Sequence, residues 1–161
     1  MLADLHVGPF TGVDLSGRML AQAQNKELYA ELHCADLMDF FAKDERLWGL
    51  ILAGDVFCYF GELDEILRTA FGRLATGGLF IFSVEELLRD AAGHPPANMQ
   101  GGGDWALGRQ GRYAHTADYL ARTVSNAGFT IQSLRREIQR YEANAPVHGF
   151  FVVLERFGHG S

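Results

Sequence analysis

Three apolar runs in the first 55 residues each end on a lone aspartate, and this repetition constrains the fold more than any other feature. The runs are Thr11-Gly-Val-Asp14, Leu32-His-Cys-Ala-Asp36 and Leu50-Ile-Leu-Ala-Gly-Asp55. A strand buried in a parallel sheet reads as a continuous apolar run. Open α/β sheets bind ligands just beyond the carboxyl ends of such strands. Each aspartate taken singly suits a helix N-cap. Three in succession are either three caps or one rim of a pocket, and the repetition favours the rim.

The rest of the chain continues the alternation. Strands are expected at 10–15, 29–35, 47–53 and 79–84. Helices are expected after Ser16, at 37–42 and at 62–75, the last with Leu63, Ile66, Leu67, Ala70, Phe71 and Leu74 on one face and Gly77-Gly78 as its stop. Strand and helix in turn imply a mostly parallel sheet covered on both faces. Residues 86–112 break the pattern with Pro95-Pro96 and Gly101-Gly102-Gly103, and read as a loop that is either a mobile lid or a disordered insertion. Thr116 then caps a helix over 117–127. Strands at 129–140 and 147–155 are joined too closely for a crossover, so they form an antiparallel hairpin.

Length and charge narrow the classes. A chain of 161 residues fits a single domain over 1–161. The net charge of −6 argues against nucleic acid, whose binding rests on Lys and Arg. Arg135, Arg136 and Arg140 read as a solvated face. No apolar span is long enough for a membrane helix, and the start does not read as a signal peptide. Cys34 and Cys58 sit in or beside apolar runs, as buried thiols of a reducing, cytoplasmic protein. They lack metal-ligand spacing, so no metal is expected.

Five segments taken in order carry a family resemblance: TGVDLSGRML (11–20), Ala35-Asp36-Leu37, LILAGDVFCYFG (50–61), LATGGLFIFS (74–83) and Ala127-Gly-Phe129. Together with the terminal hairpin, they resemble the class I S-adenosylmethionine-dependent methyltransferases. Arg112-Tyr-Ala-His-Thr116 further resembles small bacterial methyltransferase-like proteins. The resemblance runs from residue 10 onward and implies an α/β, Rossmann-like sheet. It also implies methyl transfer from S-adenosylmethionine to a small-molecule or protein acceptor.

By that resemblance Asp14 accepts from the ribose hydroxyls and Asp36 from the adenine amine. Leu15, Leu37 and Met19 then wall the adenine ring, although core packing explains them equally well. Ala53, Gly54 and Asp55 border the transfer site. Where an acceptor must lose a proton, Tyr59, Tyr113, His115 and Glu85 are the candidate catalytic groups, and a histidine beside a helix cap is as readily structural.

The sequence departs from the family at its beginning. No Gly-x-Gly loop precedes Asp14, and a strand-helix-strand unit needs roughly 30 residues. The expectation is therefore an N-terminally truncated sheet, with residues 1–9 as the tail of a helix. Its two exposed edges would be repaired by direct pairing of the strands ending at Asp14 and Asp55, or by a partner chain in a homo-oligomer. Two other readings stay open: a truncated or degenerate fold acting as a binding or assembly module, and an NAD-binding oxidoreductase. The terminal hairpin and Asp36-Leu37 argue against the second.

Overall fold

The computed structural model describes residues 8–158; the expectation for the first residues lies almost wholly outside that range. By packing, the chain falls into two compact units, up to Glu45 and from Arg46 onward.

The first unit comprises β1 (Phe10–Asp14), α1 (Gly17–Gln24), β2 (Tyr29–Cys34) and α2 (Leu37–Lys43). β1 and β2 pair in parallel, with Asp14 opposite Cys34. Both helices start on caps legible in the sequence. Ser16 Oγ accepts from Met19 N, and Asp36 Oδ1 accepts from Met38 N and Asp39 N. Gly12 packs under two side chains: a Cβ there would lie 2.7 Å from Leu32 Cδ2 and 3.1 Å from Tyr29 Cδ1, which would have to shift.

The second unit comprises β3 (Trp48–Ala53), a 3-10 turn (Phe57–Tyr59), α3 (Asp64–Arg73), β4 (Leu74–Glu86), β5 (Met99–Gln100), β6 (Trp105–Gly108), β7 (Tyr113–His115), α4 (Ala117–Asn126), β8 (Thr130–Glu142) and β9 (Ala145–Glu155). Its seven-stranded sheet runs β5-β6-β7-β4-β9-β8, with β3 also paired to β4. β3 and β7 are parallel to β4, while β9 is antiparallel to both β4 and β8. The α/β sheet ending in an antiparallel hairpin is thus formed as expected. α3 and α4 bury Ile66, Leu67, Ala70, Tyr119, Leu120 and Val124, at helical spacing. Tyr119 Oη accepts from Leu63 N at 2.7 Å and donates to Asp64 Oδ2 at 3.2 Å, tying α4 to the start of α3. Phe57, Phe80 and Phe82 form the aromatic centre of the core, with Phe57 and Phe82 centroids 4.9 Å apart.

Within its own unit β1 pairs with β2, and the apolar Leu50–Ala53 run of β3 finds its ladder against Leu79–Phe82. Three expectations are corrected or narrowed. Residues 86–112 are irregular for most of their length, as expected, but β5 and β6 interrupt them and build an antiparallel meander with β7 that widens the sheet. Strands of two and four residues are too short for alternation to show in sequence. Gly77-Gly78 does not stop a helix: α3 ends at Arg73 and both glycines lie within β4. Gly77 has φ +75°, and a Cβ on Gly78 would stand 2.8 Å from Ala75 O, which explains the pair better than a helix end does. The hairpin loop is only Ala143-Asn144, both with positive φ, as a two-residue turn of the mirror-image type demands.

Candidate functional site

In the first unit, the parallel register sets the carboxyl ends of β1 and β2 side by side, and with them Asp14 and Asp36. Ala35 N donates to Asp14 O at 3.3 Å, and Cys34 Sγ to Leu15 O at 3.6 Å. Each acid commits one oxygen locally. Asp14 Oδ1 accepts from Ser16 N at 2.7 Å, and Asp36 Oδ1 caps α2. The capping reading is therefore real for Asp36, and an ionised carboxylate still has a second oxygen to offer a ligand. Cys34 is exposed, contrary to expectation. It is the last residue of a β2 that is exposed or half-buried throughout.

Leu15 is 72% exposed and Met19 47% exposed, so neither is the core residue that packing alone would make it. Leu37 is half-buried at the start of α2. Large apolar side chains left bare beside a carboxylate suit a ligand that is flat and apolar on one side and polar on the other. A cavity of about 210 Å³ opens beneath β1, lined by Gly12, Asp14, Met19, Ala23, Tyr29 and Leu32. It takes in Asp14 and Met19 but not Leu15, Asp36 or Leu37.

In the second unit, Ala53 closes β3, and Gly54 and Asp55 follow at its carboxyl end, where Asp55 adopts φ +58°. A left-handed aspartate is uncommon and marks a turn held by its surroundings. Ser83 Oγ holds it by accepting from Asp55 N at 3.2 Å. Beside Asp55 lies an ion-pair network absent from the sequence reading. Arg112 Nη2 donates to Asp55 and its Nε to Glu85 Oε1, while Arg140 Nη1 reaches the same Oε1 at 2.7 Å. Arg140 Nε also bonds Glu142 at 2.7 Å. Its solvated-face reading is thereby corrected, and Arg136 too is paired, to Glu86 at 2.7 Å. The Arg112 guanidinium lies 5.7 Å from the centroid of the exposed Tyr59 ring.

Burial opposes the charge on Arg112, but its bonds to Asp55 and Glu85 outweigh it and push the pKa up. For Arg140 the bond to Glu85 dominates in the same direction. Burial pushes the Cys58 thiol up to about 11, partly offset by Arg112. A cavity of about 10 Å³, little more than one water, separates Asp55, Cys58, Glu85, Arg112 and Arg140.

The four catalytic candidates separate by environment. Tyr59 is 63% exposed beside the network. Glu85 is buried, with one oxygen committed to two guanidinium groups, so it organises the arginines. Tyr113 packs edge-on against Trp105, with centroids 5.4 Å apart. His115 is fully enclosed, its Nε2 bonded to Gly61 O at 2.9 Å and its ring stacked on Tyr119. Burial pushes its pKa down against the bonds to Gly61 and Phe60. Enclosed in this way, His115 packs as part of the core. Arg112 lies in a segment the sequence singles out; its partners, 27 and 57 residues away, have no local signal. Among the described residues no cluster of His, Cys, Asp or Glu could hold a metal. Among the described residues no helix is long and apolar enough to cross a membrane.

A family model described as a methyltransferase domain matches residues 1–82. No curated protein matches the chain significantly. Among solved structures, an S-adenosylmethionine-dependent methyltransferase from Mesorhizobium loti is 19% identical, with a TM-score of 0.67 over 96% of this chain and 84% of that one. The N-methyltransferase NodS from Bradyrhizobium japonicum, in complex with S-adenosyl-L-homocysteine, is 18% identical, with a TM-score of 0.59 over 91% of this chain and 65% of that one. The 1,6-didemethyltoxoflavin-N1-methyltransferase from Burkholderia thailandensis, bound to its namesake compound and S-adenosylhomocysteine, is 18% identical, with a TM-score of 0.58 over 92% of this chain and 61% of that one.

Proposed function

Because the chain belongs to the methyltransferase-domain family, we propose that it transfers a methyl group from S-adenosylmethionine to a small-molecule acceptor. The observation that carries this is the first unit's pairing of strand-end carboxylates with bare apolar side chains: Asp14 and Asp36 beside Leu15 and Met19. That set of acceptors and apolar surface fits an adenosine, whose hydroxyls and amine donate and whose ring needs an apolar wall. Asp14 holds the ribose through the oxygen that Ser16 leaves to it. Asp36 meets the adenine amine, and Leu37 adds to the wall. S-adenosylmethionine supplies an electrophilic methyl whose leaving group needs no proton.

In the second unit, Ala53, Gly54 and Asp55 border the transfer site, and the acceptor meets the network of Asp55, Glu85 and Arg112 beside Tyr59. With an in-line displacement the protein chiefly supplies alignment, which can contribute roughly 7–11 kcal/mol. Cross-bonding of Asp55, Arg112 and Glu85 serves that purpose by holding charged groups in fixed positions.

Calorimetric titration with S-adenosylhomocysteine tests the reading. Saturable binding is expected, weakened on the order of tenfold by Asp14→Asn, which removes a charged acceptor. Absence of binding at millimolar ligand, or binding of NAD instead, overturns it.

A further inference from the structure

β8 closes one end of the seven-stranded sheet, with β9 on one side and no described strand on the other. It is 13 residues long and exposed along most of its length. A long bare edge with apolar side chains is a template for another strand, and natural edges are blunted by short length, charge, proline or bulges. Residues 130–142 are long and free of proline, and their two bulges lie outside Leu134–Ile138, where Arg135 and Glu137 carry opposite charges.

The register with β9 shows how the side chains divide between faces. Ile131, Leu134, Arg136, Ile138 and Tyr141 stand opposite Leu154, Val152, Phe150, His148 and Pro146, alternate residues of β9 that share one face. The register shifts after Ile131 and Ile138 keep the outer two residues on that face. Phe150, Val152 and Leu154 are buried there, whereas Ile131, Leu134, Ile138 and Tyr141 are 39%, 36%, 47% and 67% exposed. The apolar layer of the sheet thus continues onto β8 after its cover has ended.

The order of residues on β8 is symmetric about Arg136. Two steps out on either side stand Leu134 and Ile138, and five steps out Ile131 and Tyr141. One step out, on the other face, stand Arg135 and Glu137. We propose that this edge binds a second copy of the chain, β8 against β8 antiparallel, about a twofold axis at Arg136. Leu134 then faces Ile138 of the other copy, Ile131 faces Tyr141, and Arg135 faces Glu137, each twice. Directly opposed apolar and opposite-charge pairs are what stabilise an antiparallel ladder, and a twofold interface must be self-complementary in this manner. The two Arg136 side chains that meet on the axis are each neutralised by their own Glu86 at 2.7 Å. The bulges flank a straight run over Leu134–Ile138, long enough to pair five residues with five.

Sedimentation velocity over a concentration series tests the pairing, with far-UV circular dichroism as the check on folding. The parent chain is expected to form a dimer and nothing larger. Arg135→Glu or Glu137→Arg alone sets like charges opposite one another twice and is expected to weaken the dimer on the order of tenfold. The double swap restores the opposition and the dimer. Ile138→Lys, which buries a charge in the apolar stripe, is expected to leave a folded monomer. A parent that stays monomeric up to millimolar concentration overturns the proposal, as does an open polymer. So do single swaps that dimerise like the parent, or a folded double swap that fails to recover.

Discussion

Arg112 donates its Nε–H to Glu85 Oε1 from the turn before β7, joining the ends of two neighbouring parallel strands. Glu85 is buried and Arg112 nearly so. Removing one partner of such a pair leaves an uncompensated charge, at a cost of several kcal/mol when burial is complete. Arg140 remains on Glu85, so Arg112→Met is expected to cost about 2 kcal/mol in chemical denaturation. Asp55 is the exposed arm of the same clamp, with 73% of its side chain in solvent. Asp55→Asn is therefore expected to change stability by less than about 1 kcal/mol. Equal losses from the two variants would show that the clamp does not distinguish its arms.

His115 gives stability a pH dependence. Its pKa in the folded chain lies below the ordinary 6.5 because burial disfavours the charged ring. The native state therefore binds fewer protons than the unfolded one, so stability is full above about pH 6.5 and is lost as pH falls through the folded value. Denaturation midpoints measured from pH 8 to pH 5 should fall, and His115→Asn should flatten that part of the curve. A parent curve as flat as the variant's would contradict the assignment.

The two thiols should react very differently. Cys58 is buried, and its pKa of about 11 leaves almost no thiolate at pH 8, whereas Cys34 is exposed. Titration of the native chain with a chromogenic disulfide should show one fast thiol, abolished by Cys34→Ser. Unfolding should release the second. Two fast native thiols would be inconsistent with this packing.

Gly149 on β9 stands opposite Glu85 of β4. A Cβ there would run into Val84 O and stand 2.6 Å from Gln139 Cγ. Gly149→Ala is expected to destabilise the chain by roughly 1–3 kcal/mol, the usual cost of overpacking. Gly72, with open space around it on α3, serves as the control. Gly72→Ala should be stabilising by up to about 1 kcal/mol, as helix propensity dictates.

Legibility followed the range of the interaction. The caps Ser16, Asp36 and Thr116 and the buried stripe of α3 were readable because their partners lie within a few residues. Leu15 and Met19 were ambiguous between core and ligand wall, since a sequence carries hydrophobicity but not exposure. The meander of β5 and β6 was missed because its ladders are too short to leave a period. Arg140 was misread because a charge on a strand looks solvated until the residue opposite it is known.

The sequence by itself determined the α/β alternation, the terminal hairpin and the strand-end aspartates, because apolar period, caps and turn residues act over one or two helical turns. Only the tertiary structure decided which strands pair, that the chain divides into two units, that His115 is enclosed, and that Asp55, Glu85, Arg112 and Arg140 share one charge network. Those outcomes depend on contacts between residues far apart in the chain. Burial and charge pairing there are set by what arrives from elsewhere, which no local pattern encodes.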